Sequence, residues 1–114
     1  MTAFRALLIM LWLVIAGYTS VVVANHGFGL LQIFFGDMAT MAWPGQFNLD
    51  FLCMLTLSGL WVSWRHHFSA PGLALGLLAL FGGAFFLTAY LLIVSIQAKG
   101  NMHQVLLGKA RASA

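Results

Sequence analysis

Charge is nearly absent from three long stretches of the chain, with Arg5 in the first and Asp50 in the second, and most polar residues collect between and after them. Residues 4–24, "FRALLIMLWLVIAGYTSVVVA", carry no charge after Arg5. At ~1.5 Å rise per residue such a helix covers the ~30 Å hydrocarbon core of a bilayer. Residues 47–64 and 73–97 repeat the pattern, and "SAPG" at 69–72 punctuates the step between them. Pro and Gly there predict a short turn and the start of the next helix, so the second and third stretches form an antiparallel pair.

Residues 25–46, "NHGFGLLQIFFGDMATMAWPGQ", are apolar but broken by Asp37, glycines and Pro44. The apolar heart from Phe28 to Phe35 is too short to cross, so the pattern predicts an interfacial or re-entrant segment over about 28–43. Trp43 then sits at headgroup level and Asp37 turns to water. Residues 98–114 read as a polar tail with at most a short surface turn. The expected fold is therefore an all-α membrane protein, one polytopic domain with three transmembrane helices.

Composition supports that class. Hydrophobic residues make up 62% and charged residues 6% of the 114, against roughly 25% charged in soluble domains. A chain this short cannot cover so much apolar surface with a polar shell, which leaves the lipid bilayer as its first partner. The first stretch also resembles a signal peptide, with Arg5 as a basic start and small residues before Asn25. Its apolar run to Ala24 exceeds the roughly 7 to 15 residues of a signal core, which favours an uncleaved anchor. The lone Cys53 lies in an apolar run and reads as a packing residue.

Five Lys and Arg against two Asp give a net charge of +3. They are too sparse for a nucleic-acid surface and serve as topology signals. Residues 25–46 hold neither Lys nor Arg, whereas Arg5 and Arg65 fall on the opposite side, so the N-terminus and the 65–72 turn are expected in the cytoplasm. Three crossings then put Lys99, Lys109 and Arg111 outside, against the same rule. An even number of crossings would require residues 25–46 to span.

Small residues define one helix face. Gly72, Gly76, Ala79 and Gly83 are spaced four, three and four apart, which keeps them within about 40° of arc. Close backbone approach along such a stripe is how spans associate in lipid, here as the contact within the chain or, second, between subunits. Tyr90 continues the stripe and needs a partner for its hydroxyl. On the second stretch Asp50, Leu57, Trp61 and Trp64 share one side and Thr56, Gly59 and Ser63 the other.

Asp50 has two readings. "FNLD" looks like a helix start, with Asn48 as N-cap and Asp50 in the first turn, where the macrodipole favours a carboxylate by roughly 0.3 to 1 kcal/mol. Below the headgroups, a carboxylate must instead pair, neutralise or face water, which would make it a site for a proton, cation or polar ligand. His26 follows the first span on the same outer side, so a His26–Asp50 contact is the candidate ligand-binding or pH-sensitive pair. Arg65, His66 and His67 form a basic cluster that snorkels to the inner interface. His103 in the tail carries no signal.

Enzyme signatures are missing: there is no phosphate loop, no HExxH, no GxSxG, no CxxCH and no metal-spaced His or carboxylate array. No catalytic residue, metal ligand or cofactor is assigned, and the four histidines lie at span edges or in the tail rather than where an axial haem ligand belongs. The layout of a first span, an aromatic loop, "NLDFL" opening a span that ends "WVSWR" and a Gly-rich last span resembles small uncharacterised three-span proteins of bacterial inner membranes. That resemblance covers about residues 4–97 and implies a fold and a location but no activity. A non-enzymatic accessory or structural subunit among other membrane subunits is the leading expectation. The alternatives are a binder of a lipid or pigment using Trp61, Trp64 and Tyr90, and a proton-coupled transporter using Asp50.

Overall fold

A computed structural model describes residues 1–113 and is helical throughout, with no strand among them. Three helices are long and apolar enough to cross a membrane: α1 (Thr2–His26), α3 (Trp43–Arg65) and α4 (Ala70–Gln97). Between the first two lies the short apolar α2 (Leu30–Ala39), as the interrupted pattern of that segment predicts. Two further helices, α5 (Met102–Leu107) and α6 (Lys109–Ala112), follow.

The start of α3 differs from the sequence expectation. Its N-cap is Ala42 and Pro44 stands in the first turn, so the helix begins at Trp43 rather than at Asn48. Proline in the first turn is the reason: its missing N–H has no partner to lose there and its φ is already helical. Asn48 caps nothing and instead donates from Nδ2 to the Phe34 carbonyl at 3.1 Å, fastening α2 to α3. Gly45 makes that approach possible, since a Cβ there would stand 2.8 Å from the Met38 Cα.

At the other end of α3, the turn to α4 is made as the sequence predicts. Ser69 is the N-cap and its hydroxyl accepts from the Gly72 amide at 3.2 Å, with Pro71 in the first turn. The two helices then cross on glycine. A Cβ on Gly59 would lie 2.9 Å from the Gly76 carbonyl oxygen, and one on Gly76 would collide with the Ser63 hydroxyl. Gly72, Gly76 and Ala79 are all buried, which makes the small-residue stripe a contact within the chain.

Helix α4 does not continue straight past this contact. Gly83 adopts φ 55° and ψ −139°, a conformation that side-chain-bearing residues reach only with strain. The consequence is visible at His66, which touches Gly72 on one side and bonds the Tyr90 hydroxyl at 2.6 Å on the other. On a straight helix Gly72 and Tyr90 would stand about 27 Å apart. The helix therefore reverses at Gly83, beside the ring of Phe51, and its two arms, each about 20 Å long, run down and back along α3.

The returning arm is the one that holds α1. Trp12 stacks on Phe85 with ring centroids 5.1 Å apart, and Arg5 bonds Ser95. Beyond Leu8 no residue of α1 is buried. The core lies where the arms meet α3 and the tail: Val62, Ala79, Tyr90, Val94, Ala98 and Val105.

Candidate functional site

One end of the molecule gathers all of its Lys and Arg side chains. Reversal at Gly83 brings the end of α4 back to the end of α3, so Arg5, Arg65, Lys99, Lys109 and Arg111 all lie at this pole. The tail therefore lies at the same end of the molecule as Arg65, and not at the opposite end as expected, because α4 reverses at Gly83. Nor is the tail a frayed surface turn. Asn101 caps α5 by accepting from the Gln104 amide, and Val105 is fully buried.

Arg65 organises this pole. Its Nε donates to the Val105 carbonyl at 2.7 Å, Nη2 to the Gln104 carbonyl at 3.2 Å and Nη1 to the Tyr90 hydroxyl at 3.1 Å. Tyr90 in turn faces His66 Nε2 at 2.6 Å. Since the guanidinium can only donate, Tyr90 accepts from Arg65 and has its own proton for the imidazole. Burial first, then the charges of Arg65 and His67, hold the His66 pKa below its ordinary 6.5, which suits an imidazole that accepts this proton.

The tryptophans are part of the same assembly. Trp61 donates from Nε1 to the Leu106 carbonyl at 3.0 Å and meets the Tyr90 ring edge-on. Trp64 lies under Arg111, whose guanidinium carbon is 3.8 Å from the ring centroid and whose Nη1 donates to the Trp64 carbonyl. Trp61 and Trp64 are thus engaged by the chain's own tail, and Tyr90 by Arg65, His66 and Trp61, rather than lining an open cleft. His67 remains exposed. The roles of Arg111, Gln104 and Ser95 escaped the sequence reading; the run "VLL" at 105–107, apolar within a polar tail, was the one available signal.

At the opposite pole the sequence-predicted residues are not brought together. His26 ends α1 and Asp50 stands on α3, but α1 packs on α4, and no hydrogen bond or ion pair joins the two among the described residues. Asp50 is not in the first turn either; it lies about 10 Å along α3 from Trp43. Its side chain is exposed and has no hydrogen-bond partner among the described residues. Four apolar residues flank it outward on that face, Trp43 at 72% exposed, Phe47 65%, Met54 61% and Leu57 66%, with the exposed Gln46 one turn before it. Their spacing of four, three, four and three, with Asp50 in the middle, is the spacing of a helix-pairing seam.

No group of three or more His, Cys, Asp or Glu side chains stands in metal-binding proximity among the described residues. Comparison with protein-family models, with curated proteins and with solved structures finds no match.

Proposed function

We propose that this chain is a non-enzymatic accessory subunit of a larger membrane assembly, docking through the outward seam of α3. The observation that carries this reading is Asp50, an unpartnered carboxylate in the middle of an apolar stripe, about 10 Å along the helix from Trp43. With Trp43 at the headgroups, a carboxylate there carries its proton or shares its charge with a donor from outside the chain. A neighbouring span presenting Lys, Arg or a hydrogen-bonding side chain at that depth supplies the missing partner.

In the same reading, α1 and α3 cross the bacterial inner membrane while α4 enters from the basic pole and returns. Arms of about 20 Å are short against a ~30 Å core, which supports a re-entrant hairpin over a third crossing. Two crossings put both chain ends and all five Lys and Arg in the cytoplasm, as the positive-inside rule asks. Residues 25–46 need not span to give an even number.

The test is purification of tagged chain from its own membranes in mild detergent, with a photo-crosslinking residue at Met54. A stoichiometric larger assembly, crosslinked from Met54 and dissociated by Asp50→Leu but not by His103→Ala, is the expected result. A monomer that crosslinks only to lipid overturns it. A proton-coupled transporter would behave differently: Asp50→Asn would keep the assembly and lose transport.

A further inference from the structure

A cavity of about 450 Å³ opens between the α3–α4 turn and the C-terminal helices, lined by Arg65, His66, His67, Gln97, Gln104 and Lys109 among others. The volume is in the range of small-molecule sites. Its two permanent charges, on Arg65 and Lys109, have the same sign. Both carboxylate side chains of the protein, Asp37 and Asp50, lie toward the other pole, on α2 and in the first half of α3. No ion pair neutralises Arg65 or Lys109 among the described residues.

The guanidinium is also only partly used. Its three bonds, to two carbonyls and a phenol, fix its plane against the tail and leave two of its five N–H groups free. A held, positively charged donor fork beside a mobile ammonium matches the geometry of a tetrahedral oxyanion. The cavity sits at the end of α3, the level at which a spanning helix meets the headgroups.

We infer that this cavity binds a phosphate-bearing anion, held by the fixed guanidinium of Arg65 and closed over by Lys109. The phosphate is either that of an anionic lipid headgroup or a free one. His67, exposed at the rim, and Gln97 and Gln104 supply further donors to its oxygens. Basic recesses at the cytoplasmic ends of spans recognise anionic headgroups by the same physics, and each Lys or Arg contributes about fivefold in affinity. This inference does not depend on what docks against α3.

The decisive experiment reconstitutes the full chain in nanodiscs of phosphatidylcholine, with or without phosphatidylglycerol, and follows the His66 ring by NMR and retained lipid by native mass spectrometry. For a lipid phosphate, phosphatidylglycerol is retained over phosphatidylcholine and shifts the His66 signal. Lys109→Ala then lowers retention about fivefold and Lys109→Glu lowers it further, while His103→Ala leaves it unchanged. For a free phosphate, inorganic phosphate added to phosphatidylcholine discs gives the His66 shift, and Lys109→Glu abolishes it. Lys109 is varied in preference to Arg65 because it makes no side-chain bond that holds the tail. Binding of neither probe by the wild-type chain, or equal binding by Lys109→Glu, overturns the inference.

Discussion

The Arg5 guanidinium donates to the Ser95 carbonyl at 2.9 Å and to the Ser95 hydroxyl at 3.2 Å, joining the first turns of the chain to the last turn of its longest helix. Both chain ends are held at one pole by this contact. Reporters fused to the N-terminus and to the C-terminus are therefore expected on the same side of the membrane, which a paired alkaline phosphatase and fluorescent-protein assay reads directly. Reporters on opposite sides would show that α4 crosses.

Gly83 is the position on which that reversal turns. Gly83→Val adds a Cβ 3.0 Å from the Phe51 ring and forces a branched residue to φ 55°. A loss of about 1–3 kcal/mol in stability is expected, measured by unfolding in detergent. Gly36→Val, on a helix face with open space beside it, is the control expected to cost far less.

Tyr90 links Arg65 to His66, and Tyr90→Phe removes both bonds while keeping the ring. Leaving these partly buried partners unsatisfied is expected to cost about 1–3 kcal/mol. The α5–α6 segment should at the same time become sensitive to protease, because Arg65 is the side chain that holds its carbonyls. An unchanged digestion pattern would show that Trp61 and Arg111 suffice to dock the tail.

The lowered pKa of His66 gives stability a direction with pH. The unfolded chain binds a proton to this imidazole at a higher pH than the folded chain does, so protonation favours unfolding. The contribution is intact above the ordinary value of 6.5 and is lost as pH falls from there through the folded value. The groups facing the ring are Arg65, His67, Tyr90 and, across the cavity, Lys109. Unfolding midpoints measured on either side of pH 6.5 should fall with acid in the wild type, and His66→Gln should flatten the trend.

Much of the architecture was legible in residue order. Long apolar runs give α1, α3 and α4, "SAPG" gives the α3–α4 turn, and the spacing of Gly72, Gly76 and Ala79 gives the face on which these helices meet. The start of α3 was misread: "FNLD" pointed to Asn48, whereas Pro44 in the first turn sets the start at Trp43. The reversal at Gly83 was not legible either. Apolar residues flank "GG" equally on both sides, so hydropathy is blind to a change of direction within lipid, and Gly82 and Gly83 look like two more members of a packing stripe. That same blindness placed the basic tail at the far end of the molecule from Arg65 and hid the site made by Arg65, Tyr90 and His66. The His26–Asp50 pairing failed for a related reason: it assumed that α1 packs beside α3, whereas the returning arm of α4 takes that place.

The order in which the chain is made gives this arrangement a further meaning. Helix α1 leaves the ribosome before α3 and α4, yet the contacts that hold it, at Phe85, Ser95 and Gly100, all lie after Gly83. Until the second arm of α4 is made, α1 has none of these contacts. During that interval it is open to capture by another nascent or resident protein, and completion of the second arm of α4 ends the competition.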